Sequence, residues 1–339
     1  MRTSAIAKTF LAASALCLGL SAAAHAAQPL VIYSAIGYDA DMAKAFQKAT
    51  GIPVKMVDMS TGPLLARVQA EKQNPQWDIV WFDGAEGMRN LALQGLLASY
   101  APKVDWNSIG RKIQPSDHAY VASAASLAGV IVVNKNKLPE ADWPHSWGDL
   151  TNPRYRGMIG MNNPAVSGPT YPFVVGQMLW RGSEEAGKTW YMGLKANGLK
   201  TFRTNGVTLR ALDHGVIDVA MVQNSAGIGR MLKGMPFKVI YPNPVTLLPR
   251  TIGISSHASP EVRAEAEKFV NFLLSKRGQA VAQKGDPTGD SLYYPVVAGT
   301  SPLQGIPSLA GVTVQTADPT VWGPREGDID RWFTNHIVH

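Results

Sequence analysis

Polar residues able to hold a small charged molecule recur just beyond short apolar runs. Ser34 follows Leu30-Val31-Ile32-Tyr33, and Ser60-Thr61 lie beyond Val54-Lys55-Met56-Val57. Asp83 ends Asp78-Ile79-Val80-Trp81-Phe82, and Asn224-Ser225 lie beyond Val219-Ala220-Met221-Val222. Hydroxyl and amide groups donate to an oxyanion, a carboxylate accepts from an ammonium, and an arginine such as Arg250 grips an oxyanion in bidentate fashion. The plainer roles are helix capping for Ser60, Thr61 and Asp83 and a surface hinge position for Arg250. Covalent chemistry has less support. Gly-x-Ser-x-Gly, the P-loop and the dinucleotide fingerprint are absent from the sequence. None of the seven histidines stands in a metal-binding spacing or beside a recognisable nucleophile.

Those polar positions need elements to hold them. Leu30–Tyr33 reads as a strand, and Met42–Thr50 as an amphipathic helix stopped at Gly51. Val54–Val57 is a second strand. A helix runs from Pro63, well suited to a first turn, to about Lys72, and 78–82 is a buried strand. The order is β-α-β-α-β, with polar residues at each strand's carboxyl end. In open parallel sheets ligands bind there, often at helix N-termini. The pattern returns after residue 126. Strands at 129–134, 158–161 and 219–222 are followed by polar loops, with helices at 172–180 and 207–214. Thr251–Ile254 reads as a return strand and Pro260–Lys276 as a strongly amphipathic helix. The expected fold is α/β in two lobes, each a mixed sheet flanked by helices, with the ligand cleft between them. The first lobe is expected over 27–125 and 250–298, the second over 126–249, and 299–339 is expected to pack across it. No low-complexity linker separates the lobes, so the crossings suit hinge closure.

The N-terminus reads as an export signal over 1–26. Arg2 and Lys8 precede an apolar run from Phe10 to Ala24, and Ala24-His25-Ala26 is a cleavage pattern. The run is shorter than the roughly 20 apolar residues of a membrane span. The single cysteine, Cys17, lies inside it, after Leu16 rather than a small residue, which argues against lipidation. The remaining chain therefore excludes disulfides, thiolate nucleophiles and cysteine-ligated metals. Removing Arg2 and Lys8 leaves 30 basic against 25 acidic residues. That mild excess favours an anion weakly through the long-range field, and with no Lys/Arg cluster it is no nucleic-acid signature.

Five passages carry a resemblance. They are Val31-Ile32-Tyr33-Ser34-Ala35, the stretch from Ser60-Thr61-Gly62-Pro63 through Val68, Asp78-Ile79-Val80-Trp81, Trp147-Gly148-Asp149-Leu150, and Asp218-Val219-Ala220-Met221. Together and in this order, the chain resembles type 2 periplasmic solute-binding proteins of ABC importers, in the ferric-iron, thiamine and 2-aminoethylphosphonate group. Ferric-binding members place adjacent tyrosines after the second-lobe strand, where this chain has Asn224-Ser225. Tyr293-Tyr294 stands elsewhere, before Pro295, and reads as packing. The departure argues against iron, and no metal or cofactor is expected.

The resemblance also implies a ligand set. The passage Asn162 to Tyr171 resembles the Ser-Gly-Thr loop of oxyanion- and phosphonate-binding members, with Ser167 and Thr170 as donors, Gly168 allowing backbone approach, and Tyr171 beside them. Tyr33, Ser34, Ser60 and Thr61 would face it from the first lobe, and Ser126, Asn205, Asn224 and Ser225 would complete the second. Asp83, with Glu86 as a weaker alternative, would take an ammonium, and Arg250 would supply the counter-charge. The implied function is capture of a small anionic or zwitterionic solute, 2-aminoethylphosphonate favoured, by a periplasmic monomer that delivers it to an inner-membrane permease. The alternatives are another oxyanion, an organic phosphate, a polyamine, or iron with a synergistic anion. From a different class, the alternative is a periplasmic enzyme or sensor subunit on the same scaffold.

Overall fold

The computed structural model describes residues 28–339. The export signal expected over 1–26 lies outside them. The first lobe opens with β1 (Leu30–Ser34), α1 (Asp39–Thr50), β2 (Val54–Asp58), α2 (Thr61–Ala70), β3 (Ile79–Asp83) and α3 (Ala85–Leu93). Gly51 ends α1 in the left-handed conformation, φ 76°, with its N–H on the Gln47 carbonyl at 2.8 Å, the C-terminal glycine cap the sequence suggested. After β4 (Leu97–Ala98) and α4 (Ser108–Ile113), β5 (Val121–Leu127) leads to the second lobe. β1 pairs parallel with both β2 and β3. Alternation along these strands sorts the core: Leu30, Ile32, Ile79 and Trp81 face one layer, Tyr33, Val80 and Phe82 the other. Strands buried on both faces read as unbroken apolar runs, which is why they were legible.

The second lobe repeats the scheme with β6 (Val130–Asn134), β7 (Ile159–Asn162), α5 (Thr170–Trp180), α6 (Glu184–Ala196), β8 (Lys200–Phe202), α7 (Asn205–Asp213), β9 (Val219–Val222), α8 (Asn224–Leu232) and β10 (Phe237–Ile240). Its sheet runs β10-β6-β9-β7-β8. Ile131, Val133, Met161 and Met221 point to one apolar layer, Val130, Val132, Ala220 and Val222 to the other.

The chain returns through β11 (Val245–Ser255), which is longer than the expected 251–254 and carries Pro249 inside it. β11 lies antiparallel between β3 and β5. The helix expected over 260–276 is α9 (Pro260–Leu274), and a further helix, α10 (Lys276–Gly285), follows it. Ser275 divides them because its Oγ accepts the Gly278 N–H at 3.1 Å and so caps α10. The tail then adds β12 (Val314–Gln315) to β11 and ends in α11 (Pro319–Trp322) and α12 (Glu326–Phe333). Trp322, Ile329 and Phe333 join the second lobe's core, while Gly323 lies against the Glu86 carbonyl of α3 in the first. The molecule is therefore an α/β protein with two helix-flanked mixed sheets, one in each lobe. The strand passages 127–130 and 240–245 cross between the sheets.

Candidate functional site

The carboxyl ends of β1, β3, β7 and β9 converge on a cavity of about 160 Å³ between the two lobes. Ser60, Thr61 and Asp83 line it from the first lobe, with Asp290 beside them. Ser167, Gly168, Thr204, Asn205 and Gln223 line it from the second. Two helices start here without a side-chain seal: Ser60 precedes α2 and Thr204 precedes α7, and neither hydroxyl bonds the helix it precedes. Their first N–H groups, with the positive end of each helix dipole, favour negative charge in the cavity.

The cavity floor is an ion pair. β3 and β11 place Asp83 opposite Arg250 in antiparallel register. Arg250 Nε donates to Asp83 Oδ1 at 2.8 Å and Nη2 to Oδ2 at 3.3 Å, while Nη1 donates to the Asp290 carbonyl at 2.9 Å. The Asp290 carboxylate stands 3.3 Å from Arg250 Nη2 and accepts the Gly37 N–H at 2.7 Å. The guanidinium also lies 5.2 Å over the Tyr38 ring. Burial alone would lower the pKa of Arg250, but Asp83, Tyr38 and Asp290 hold it well above its ordinary value. Burial pushes the Asp83 carboxyl up, and Arg250 and Gln223 work against that push. With three donors on its two oxygens, Asp83 is an ionised carboxylate. Among the lining residues and this pair beneath them, two acids meet one cation, so the site carries a net charge near −1.

A chain of hydrogen bonds links the lobes through this floor. Gln223 Nε2 donates to Asp83 Oδ2 at 3.1 Å and to Ser126 Oγ at 3.0 Å, and its Oε1 accepts from Asn205 Nδ2 at 3.2 Å. Asn162 Nδ2 donates to Asn205 Oδ1 at 2.6 Å and to Ser167 Oγ at 3.2 Å, and Thr208 donates to Asn162 Oδ1 at 2.5 Å. Backbone also meets across the cleft, with Gly62 N–H on the Val166 carbonyl at 3.2 Å. A methyl group on Gly62 would strike the Ala165 carbonyl, and one on Gly168 would strike the Thr61 side chain. The two glycines permit an approach that any other residue would prevent.

Six of the residues singled out from sequence line the cavity: Ser60, Thr61, Asp83, Ser167, Gly168 and Asn205. Arg250 and Ser126 lie beneath it, held by Asp83 and Gln223, so Arg250 is not the unpaired counter-charge the sequence suggested. The other six do not line it. Tyr33, one step out of phase with Ser34, points into the opposite layer, and its hydroxyl donates to Glu71 at 3.0 Å. Ser34 is buried and accepts the Ile36 N–H at 3.2 Å. Thr170 is buried in the first turn of α5, and Tyr171 donates to the Trp322 carbonyl at 2.6 Å. Asn224 accepts the Leu127 N–H at 2.9 Å, and Ser225 is fully buried beside it. Tyr293 and Tyr294 are buried, their hydroxyls on Gln279 and on the Pro307 carbonyl, and burial pushes the Tyr294 phenol up to about 12. Glu86 lies behind the cleft, against the tail. Sequence reasoning missed Thr204, Gln223 and Asp290. Gln223 carried the same strand-end signal as its neighbours, whereas Asp290 sits in a turn with no such signal. Among the described residues there is no group of three His, Cys, Asp or Glu placed to hold a metal ion, and no helix is long and apolar enough to cross a membrane.

The family model described as bacterial extracellular solute-binding protein matches residues 41–296. The major ferric iron-binding protein of Neisseria meningitidis (serogroup A) is 27% identical over 282 residues, covering 80% of this chain and 83% of that protein. A Salmonella paratyphi A protein, provisionally named as 2-aminoethylphosphonate-binding and periplasmic, is 24% identical over 278 residues, covering 78% and 79%. The fold matches that of the periplasmic binding protein AfuA of Actinobacillus pleuropneumoniae, solved with fructose-6-phosphate bound, at a TM-score of 0.79 and 20% identity over 91% of this chain and 98% of that one.

Proposed function

The chain belongs to the bacterial extracellular solute-binding proteins, a family of binding proteins rather than enzymes, and we propose that its solute is a small phosphonate zwitterion, with 2-aminoethylphosphonate favoured. The observation that carries this reading is the composition and size of the cleft cavity. A cavity near 150 Å³ holds a molecule of benzene's size, about six heavy atoms. The 160 Å³ here suits a seven-heavy-atom aminophosphonate and is small for a sugar phosphate. The phosphonate takes hydroxyls from Ser60, Thr61, Ser167 and Thr204 and the open N-termini of α2 and α7. Each hydrogen bond to a charged group contributes roughly 1.5–3 kcal/mol, so three or four support micromolar binding after the cost of association. Asp83 already accepts three donors, so the ammonium goes to Asp290. A site with net charge near −1 also disfavours a bare dianion.

In this reading the signal is removed near Ala26, and the mature monomer works in the periplasm. The lobes, 27–125 with 250–298 and 126–249, close on the solute, and the closed form docks on an inner-membrane permease. Calorimetry on the mature protein tests the assignment. We expect micromolar binding of 2-aminoethylphosphonate and at least about tenfold weaker binding of ethylphosphonate and ethanolamine, each lacking one charged end. Asp290→Asn should weaken 2-aminoethylphosphonate but not ethylphosphonate, for which it removes a repelling charge. No heat with any phosphonate, or a visible tyrosinate band on adding ferric citrate, would overturn it.

A further inference from the structure

The hydrogen bonds beneath the cleft have a direction as well as a geometry. Asp83 is an ionised carboxylate and can only accept. The Gln223 side-chain atom 3.1 Å from Asp83 Oδ2 is therefore its nitrogen, and the second proton of that nitrogen goes to Ser126 Oγ at 3.0 Å. Gln223 Oε1 is left to face Asn205 at 3.2 Å, so Asn205 turns its Nδ2 there. Asn205 Oδ1 then faces Asn162 at 2.6 Å, and the atom it meets is Asn162 Nδ2. The second Asn162 proton goes to Ser167 Oγ at 3.2 Å, while Asn162 Oδ1 takes the Thr208 hydroxyl. A backbone group agrees with this order. The Gln223 N–H can only donate, and it lies 3.4 Å from Asn205 Oδ1. Asn162, Thr208, Gln223 and Ser126 are all buried, so solvent does not compete for these bonds.

Two protons remain. Ser167 Oγ accepts from Asn162 and keeps its own O–H, and Asn205 Nδ2 keeps the proton that Gln223 does not take. Both residues line the cleft cavity. We propose that the Asp83 carboxylate, acting through Gln223, Asn205 and Asn162, makes the Ser167 and Asn205 wall of the cleft a surface of donors only, and that the solute oxygens resting on it carry no proton. Asn162 is then a positioning residue, set behind the wall and deciding which way Ser167 and Asn205 point. This selectivity rests on the reading of the cleft as an oxyanion site. A fully ionised phosphonate, or a sulfonate, meets each of these donors with an acceptor. A phosphonate that turns a remaining proton to this wall sets donor against donor and leaves a buried group without its bond. The relay also crosses the cleft, from Asp83 in the first lobe to Gln223 in the second, so the wall is set only while the lobes stay together.

Two measurements test it. A neutron structure of the deuterated mature protein locates the protons without any solute. It should show Gln223 turning its amide deuterons to Asp83 and Ser126, Asn162 turning its own to Asn205 and Ser167, and the Ser167 deuteron directed into the cavity. A reversed amide at Asn162 or Asn205, or a Ser167 deuteron directed at Asn162, overturns the proposal. The second measurement is calorimetry with 2-aminoethylphosphonate at pH 8 and pH 5. Wild type should bind about tenfold more weakly at pH 5, because the second ionisation of a phosphate-type group lies near pH 6. Asn162→Leu keeps the shape and leaves Thr208 its bond to the Thr204 carbonyl at 3.2 Å, but frees Ser167 to turn and accept. It should weaken binding about tenfold at pH 8 and clearly less at pH 5, which flattens the profile. Asp83, Asp290 and Arg250 are the charged groups at the cavity, and they are the same in both proteins, so the difference between the profiles reports the relay. An equal loss at both pH values would make Asn162 merely structural, and no loss at pH 8 would make it idle; either overturns the proposal. If wild type gives no heat with the phosphonate, the solute assignment fails, and the deuteron positions alone decide the relay, as they do if Asn162→Leu does not fold.

Discussion

The floor of the cleft and the seam beneath the tail both bury carboxylates, and they treat them in opposite ways. At the cleft, Asp83 receives two bonds from Arg250 and one from Gln223, with Asp290 sharing the same guanidinium. At the seam, Glu86, Glu326 and Asp330 gather between α3 and the tail. Glu86 Oε2 and Asp330 Oδ1 have no partner among the described residues. The Glu326 carboxylate stands 3.2 Å from where a side chain on Gly87 would begin. Burial pushes Glu86 and Asp330 up to about 7, and burial with Asp330 and Glu86 raises Glu326 well above the carboxylate range. A buried charge with its partner in register is a fixed part of the structure. A buried charge without one titrates near neutrality and makes stability depend on pH.

The sharpest way to break the comparison is to remove a partner at the cleft. Arg250→Ala leaves Asp83 buried without its cation, and removing one member of a buried pair costs about 3–5 kcal/mol. Urea unfolding at pH 7 should show that loss. Asp83→Asn with Arg250→Met should recover part of it, because neither charge is then left alone. A loss below about 1 kcal/mol for Arg250→Ala would mean that the pair behaves like an exposed one.

The seam predicts the reverse sign. The folded pKa of Glu86, about 7, lies above its ordinary 4.5. The native state therefore binds more protons than the unfolded state between those values. Stability falls as pH rises through that window, and the full penalty is present above pH 7. Glu86→Gln should therefore stabilise the mature protein at pH 8, on the order of 3 kcal/mol, and give no such gain at pH 4. Asp330→Asn should act in the same direction. Denaturant titrations at the two pH values check this, and an equal effect at both would assign the gain to packing instead of charge.

Cleft closure comes next in size. Gly168→Ala places a methyl group against Thr61. In a well-packed contact that costs roughly 1–3 kcal/mol, but here the lobes can part and avoid it. The fold should survive while the closed form is lost. Small-angle scattering should then give a larger radius of gyration with solute present than for wild type, and solute affinity should fall roughly ten- to hundredfold. Unchanged affinity would mean that the approach of Gly168 to Thr61 is not needed for binding.

The sequence conveyed the layers far better than the pairings. Runs such as Val130–Val133 and Val219–Val222 are apolar on both faces because both faces are covered, so strand positions were legible without knowing their partners. Gly51 announced the end of α1 for a local reason. The Asp83–Arg250 pair joins residues 167 positions apart and exists only through the β3–β11 register, so each residue alone invited a separate role at the ligand. Pro249 hid the early part of β11, because proline within a run argues against a strand. Tyr33 was misplaced by a single step of strand alternation, which turns a side chain to the opposite face.

The smallest predicted effect separates two kinds of helix start. Ser275 Oγ accepts the Gly278 N–H, and Ser183 Oγ accepts the Ala186 N–H at 3.1 Å. Both are working caps, and replacing such a serine by alanine costs about 0.5–2 kcal/mol. Ser60 stands at the same position before α2, yet its hydroxyl makes no such bond. Ser60→Ala should therefore leave the stability of the solute-free protein within about 0.5 kcal/mol of wild type, whereas Ser275→Ala should lower it. In the presence of solute the order should reverse. Ser60→Ala should weaken binding by the worth of one hydrogen bond to a charged group, about tenfold or more, and Ser275→Ala should leave binding unchanged. Thermal unfolding of both variants with and without 2-aminoethylphosphonate gives all four values. A helix start left unsealed without solute and sealed with it is the local signature of an anion site. If Ser60→Ala lowers stability as much as Ser275→Ala does, Ser60 is an ordinary cap, and the oxyanion must rest on Thr61, Ser167 and Thr204 alone.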